Sequence, residues 1–77
     1  MGTKDVEAKL LSEMGARARA LRENRGLTVN QLSVAMNRTY QCIHGMEKSG
    51  TLSLRVVLDW SEALQVTPDL LLFGHGF

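Results

Sequence analysis

Cys42, His44, Asp59 and Glu62 are the side chains in this sequence whose types and spacing first suggest chemistry. Cys42 and His44 stand two apart, so on a helix they diverge by roughly 200° and do not share a metal ion. The further ligands of a structural zinc site are missing as well. As a nucleophile Cys42 would need a nearby base and an orienting group, and none is in view. It reads instead as a small packing residue. Asp59 and Glu62 lie one turn apart on an amphipathic stretch, where a solvated face accounts for them. No catalytic constellation emerges. The chain reads as non-enzymatic, with no metal, cofactor or small-molecule ligand implied.

What remains is a pattern suited to recognition. Residues 28–48, TVNQLSVAMNRTYQCIHGMEK, divide into two short helices with a tight turn between them. Thr28 and Gln31 have the spacing of a capping box, in which each side chain satisfies an orphan donor at a helix start. Leu32, Ala35 and Met36 follow at helical spacing and make one apolar face. Asn37 interrupts, and Asn tolerates the left-handed backbone that ends a helix. Thr39 can cap a second helix, whose apolar positions are Ile43 and Met46. Helices joined this way form a helix-turn-helix, whose second helix commonly enters the DNA major groove. An ordinary helical corner has the same periodicity.

The other elements must hold this unit in place. A first helix runs from Lys4 or Asp5 to about Asn24, with Val6, Leu10, Met14, Ala18 and Leu21 as its apolar stripe. Gly15 interrupts the stripe at a cost of about 1 kcal/mol against Ala, which predicts a weak point or bend. The residues before it would then be a loosely attached arm. Gly26 caps the end and Leu27 follows as a buried anchor. The second helix spans about Val29 to Met36 and the third about Tyr40 to Lys48. Ser53 caps a fourth, with Leu54, Val57, Leu58, Ser61 and Leu64 facing inward and Trp60 off-centre and partly buried. It ends near Gln65. Thr67 as cap and Pro68 at the first helical position start a short apolar fifth helix to about Phe73. No segment has strand periodicity. The expectation is an all-α, compact five-helix domain over residues 1–77, with a core at about 5–73 and a short tail at 74–77.

Composition narrows the setting. A chain of 77 residues buries a modest core, which suits a helical fold helped by a partner subunit. One cysteine excludes an internal disulfide and fits a reducing compartment. No signal peptide is visible, because Lys4, Asp5, Glu7 and Lys9 are mixed among the first apolar residues. No apolar run is long enough to span a bilayer. The net charge of +1 conceals a division along the chain: −1 over residues 1–16, +5 over 17–55 and −3 over 56–77. The basic excess surrounds the helix-turn-helix, as a nucleic-acid footprint does, but it is light for one subunit acting alone.

The stretches MGARARALRENRGLT (14–28), QLSVAMN (31–37), Ile43 with Met46-Glu47, and SLRVVLDWSEALQVTPDLL (53–71) together resemble the Cro/repressor-type (XRE) helix-turn-helix family. The likeness extends to small phage repressors and restriction-modification controller proteins. It implies a cytoplasmic protein, bacterial or phage-encoded, with double-stranded DNA as its partner. It places Arg22 and Glu47 where the family has an internal ion pair, with a phosphate contact as the alternative for Arg22. It assigns base reading to the start of the third helix, at Thr39, Tyr40, Gln41, His44 and Gly45, with the recognition helix at about 39–48. The chemistry agrees: Gln41 can pair bidentately with adenine, and Thr39 can bond a base edge or touch a thymine methyl. Tyr40 can donate to a phosphate, and Gly45 leaves room for close approach. A solvated face is the alternative for Tyr40 and Gln41.

Phosphates are expected at the start of the second helix, Thr28, Val29 and Asn30, where backbone N–H groups and the helix dipole attract anions. Arg38, Lys48 and Ser49 are the other expected phosphate contacts. Departures from the family pattern are Val29 in place of Gln, Asn37 in place of Gly, and a short loop at Ser49–Leu52 without basic residues. Leu72, Phe73 and Phe77 suggest a two-fold interface, against the alternative of a core-capping helix with a frayed end. The expected function is a sequence-specific transcriptional regulator, a repressor or controller, bound to a palindromic operator as a homodimer. A protein-interaction module or a DNA-binding antitoxin is the alternative.

Overall fold

The computed structural model describes residues 2–74, and within them five helices follow one another without a strand. These are α1 (Thr3–Asn24), α2 (Val29–Met36), α3 (Tyr40–Ser49), α4 (Leu54–Leu64) and α5 (Pro68–Phe73). The all-α, five-helix architecture is the one expected, with ends moved by one or two residues.

Local signals set the starts. Thr28 Oγ1 accepts the Gln31 N–H at 3.1 Å while Gln31 Oε1 accepts the Thr28 N–H at 2.8 Å, so the capping box is complete. Thr39 Oγ1 accepts from the Cys42 N–H at 3.1 Å, and Ser53 Oγ from the Val56 N–H at 3.3 Å. Thr67 makes no side-chain cap, so α5 starts on Pro68 alone.

The stops of α1, α2 and α4 share one device. Gly26 (φ 72°), Asn37 (φ 55°) and Gln65 (φ 58°) each take the left-handed conformation. The next N–H then reaches back five residues: Leu27 to Arg22 O at 3.1 Å, Arg38 to Ser33 O at 2.9 Å, and Val66 to Ser61 O at 3.0 Å. These bonds satisfy carbonyls that a helix end leaves open.

The core gathers Ala18 from α1, Leu32 from α2, Ile43 from α3, Trp60 and Leu64 from α4, and Leu71 from α5, all at 0 % exposure. Four expectations change here. Trp60 is central and not partly buried, whereas Leu54 and Leu58 are exposed. The buried arc of α4 is Val57, Trp60, Ser61 and Leu64, because the helix is enclosed by α2, α5 and α1 and the largest ring takes the middle. Ala35 is exposed and Leu27 only half-buried. Val6 and Leu10 are also exposed, since α1 outruns the core that its stripe points toward.

Gly15 is the fourth. It is no weak point: α1 is one helix from Thr3 to Asn24, and Gly15 is buried where α1 crosses α3. A Cβ there would stand 2.6 Å from the carbonyl oxygens of both Met46 and Glu47. Gly50, at the end of α3, meets the Leu11 carbonyl in the same way. Two glycines thus let α1 and α3 touch backbone to backbone, and that contact sets how α3 is presented.

Candidate nucleic-acid interface

The platform beneath α3 is an ion pair. Arg22 Nε donates to Glu47 Oε2 at 2.7 Å and Nη2 to Oε1 at 3.2 Å, a two-point contact between nearly buried side chains. Nη1 donates to the Leu27 carbonyl at 2.7 Å. One guanidinium therefore joins the end of α1, the loop into α2 and the last turn of α3. The hydrogen bond to Glu47 holds the Arg22 pKa above its ordinary value, with Coulombic attraction to the same carboxylate adding to it and burial opposing it.

Above this platform lies a polar, accessible face. Thr39, Tyr40, Gln41, His44 and Gly45 are all exposed, and the structure brings them together on the first half of α3. The Tyr40 and His44 rings stack one turn apart, with centroids 5.9 Å apart and planes 13° apart. Stacking limits the freedom of both rings. Nothing lies within 4 Å of where a Gly45 Cβ would be. The Gln41 amide takes no hydrogen bond among the described residues, so its donor and acceptor remain available.

The expected phosphate positions divide. Thr28, Val29 and Asn30 form the first turn of α2, where Thr28 completes its capping box and Asn30 is exposed. Lys48 and Ser49 are exposed at the far end of α3. Arg38 is turned inward: its Nη2 lies 3.7 Å from Asp59 Oδ2 on α4, and its Nε is enclosed without a partner. Arg38 directly follows the left-handed Asn37, and its half-buried side chain carries the head to α4.

Other arginines are engaged in the same way. Arg17 donates from Nε to the Leu71 carbonyl at 3.0 Å and from Nη2 to the Leu72 carbonyl at 2.7 Å, closing the C-terminal end of α5. Arg25 donates to the Gln65 side chain, and Arg55 lies 3.6 Å from Asp59. Of the seven basic side chains in residues 17–55, Arg17, Arg22, Arg25 and Arg38 thus join separate elements, whereas Arg19 and Arg55 pair within their own helices and Lys48 is exposed. Cys42 sits half-buried with its Sγ 3.7 Å from Met46 Sδ, a packing position. Among the described residues no cluster of three or more His, Cys, Asp or Glu side chains could hold a metal ion.

Arg19 is the residue that the sequence left unassigned. It lines a groove of about 270 Å³ with Val29, Tyr40, His44 and Lys48, above the buried Arg22 and Glu47. It shares a helix face with Gly15, four residues before it, but only the crossing of α1 with α3 gives that face a role.

On the C-terminal side, Leu72 is half-buried and Phe73 exposed, while Phe77 lies outside the described residues. No helix among the described residues is long and apolar enough to cross a membrane.

Comparison with known families matches residues 13–72 to the helix-turn-helix domain. The chain belongs to that family. Helix-turn-helix membership makes it a DNA-binding protein of transcription control. Among solved structures it is similar to the restriction-modification controller protein C.AhdI from Aeromonas hydrophila. The two are 29% identical, with a TM-score of 0.74 over 83% of this chain and 97% of the other. Comparison with curated proteins gives no match. The family match begins at residue 13, so the first turns of α1 precede it.

Proposed function

We propose that this helix-turn-helix protein is a sequence-specific repressor or controller that binds a palindromic operator as a homodimer. It places α3 in the major groove of each half-site. The observation that carries this reading is the first half of α3: an exposed, nearly uncharged face on a buried two-point ion pair. Similarity to a controller protein supports the regulatory role. Thr39, Gln41 and His44 read base edges, Tyr40 reaches the sugar-phosphate chain, and Gly45 permits close approach. The open N–H groups at the start of α2, with Asn30, hold a phosphate, and Lys48 and Ser49 bind the backbone at the other end. Arg38 adds at most a long-range charge, since its head is turned toward Asp59 on α4. Such a lightly charged reader needs two copies, and Leu72 with Phe73 offers an apolar surface for the two-fold contact. It has no catalytic activity.

Selection from a random duplex pool, followed by footprinting, tests this. The expected winner is a palindrome with half-sites about one helical turn apart. Gln41→Ala is expected to keep the fold and lose about 1–3 kcal/mol of discrimination at a single base pair per half-site. A pool that yields no enriched sequence at low salt would sink the reading. The exposed Leu52, Leu54 and Leu58 favour a second reading in which a protein partner, such as a toxin, docks there. Retained DNA binding with loss of that partner on a Leu54→Lys change would distinguish it.

A further inference from the structure

We propose that the opening turns of α1, which precede the family match, carry a second edge for the sugar-phosphate backbone flanking the sequence read by α3. The inference rests on the DNA-binding reading of α3. Gly15 determines which face of α1 meets α3, because a Cβ at that position would stand 2.6 Å from the Met46 and Glu47 carbonyl oxygens. At helical spacing the same face carries Lys4, Ala8, Ser12 and Arg19. Opposite stand Lys48 and Ser49, at the end of α3. The seam between the helices opens into an outer groove of about 660 Å³, lined by Lys4, Ala8, Ser12, Lys48 and Ser49. The inner groove beside Tyr40 and His44 includes Arg19 and Lys48. Lys48 lines both, so the outer seam continues the face that reads bases.

The charge lining the seam favours a polyanion through Lys48, since the opening turns alone balance Lys4 and Lys9 against Asp5 and Glu7. Lys4, Lys9 and Lys48 line the outer groove against one acid, Glu7. Arg19 has only a loose pair, 3.5 Å from Glu23 with both side chains more than half exposed. Ala8, Ser12 and Ser49 are small and leave the groove open to an approaching strand. From Lys4 to Arg19 the helix advances about 22 Å, at 1.5 Å per residue. Laid along a duplex axis, that length would span about six base-pair steps at 3.4 Å each.

The test compares the wild-type chain with the Lys4→Ala/Lys9→Ala double variant and with Glu7→Gln. Duplex titrations run from 50 to 200 mM salt, on the selected site and on an unrelated sequence. Each lost phosphate contact removes about 0.9 from the slope of log affinity against log salt. The double variant is therefore expected to be shallower by about 1.8, so the wild-type advantage shrinks about 12-fold across that range. Sequence preference stays the same, because phosphates carry no base information. Glu7→Gln is expected to bind more tightly than wild type. The altered side chains are exposed, and matching thermal melts verify the fold. Equal slopes with intact binding overturn this inference alone. Failure of the wild type to bind any duplex overturns the reading of α3 as well.

Discussion

Glu47→Ala is expected to cost about 3–5 kcal/mol, because it strands the Arg22 guanidinium in a site that was closed around a carboxylate. Side-chain exposures of 10% and 5% for Arg22 and Glu47 place this pair among buried ion pairs, so the small values typical of surface pairs do not apply. A domain of this length has total stability of only about 4–12 kcal/mol at 0.05–0.15 kcal/mol per residue. The variant should melt at least about 12 °C lower, taking 4 °C or more per kcal/mol for a small domain. Differential scanning calorimetry measures this directly. The double replacement Arg22→Met/Glu47→Leu should recover most of the loss, since an apolar pair of similar volume leaves no charge stranded. A single variant that melts like wild type would show that Arg22 and Glu47 are not coupled.

The pH dependence of this pair has a definite sign. The folded-state pKa of Arg22 is raised by its hydrogen bond to Glu47. A group with a raised pKa contributes its full stabilisation below the unfolded value and loses it as pH rises through the folded value. Both values lie in the strongly alkaline range, so Arg22 adds no slope to stability near neutrality. Loss of stability in strong alkali is the expected mark of its titration.

Features encoded by neighbours in sequence were legible. The Thr28–Gln31 capping box, the Thr39 and Ser53 caps and the left-handed Asn37 each involve residues within a turn or so of one another. Their type and spacing specify them before any tertiary contact forms. Trp60 was misread because a periodic stripe shows which face of α4 is apolar, not how many neighbours enclose it. Leu54 and Leu58 fit the period equally well, yet the enclosing helices leave them outside. Arg17 reads from sequence as general basic charge and Arg38 as a phosphate contact, because their partners, the α5 carbonyls and Asp59, are distant along the chain. The Arg22–Glu47 pair became visible through family likeness alone, since no spacing rule links residues 25 apart.

The base-reading face was legible for a different reason. Thr39, Tyr40, Gln41 and His44 are polar residues on a short helix whose other side carries Ile43 and Met46, so amphipathicity alone turns them outward. Arg19 escaped because the crossing of α1 over α3 decides that it lines the groove. That crossing depends on Gly15, a residue that helix propensity alone marks as a defect. The meaning of a glycine is set by what stands opposite it, and this leads to an experiment in which two glycines of this chain should respond with opposite signs.

Gly15→Ala is expected to destabilise the fold although it improves helix propensity. On an exposed helix the change would gain about 1 kcal/mol. Here the new Cβ would sit 2.6 Å from two backbone oxygens and 2.8 Å from the Glu47 carbonyl carbon. Those atoms belong to the α3 backbone and move only if the helix moves, which places the strain at or above the usual overpacking cost of about 1–3 kcal/mol. Separating α1 from α3 also stretches the Arg22–Glu47 contact, because Glu47 takes part in both. The expected net loss is about 2 kcal/mol for Ala, and more for Val, whose branched side chain fits the crossing less well. Gly45→Ala is the matched control on α3, with open space around its Cβ position, and should stabilise the domain by about 1 kcal/mol. On DNA the order of concern reverses: Gly45→Ala keeps the fold but crowds the base-reading face, so affinity should fall while the melting temperature rises. If both variants melted higher than wild type, the close crossing of α1 and α3 would be wrong, and with it the account of how α3 is held for reading.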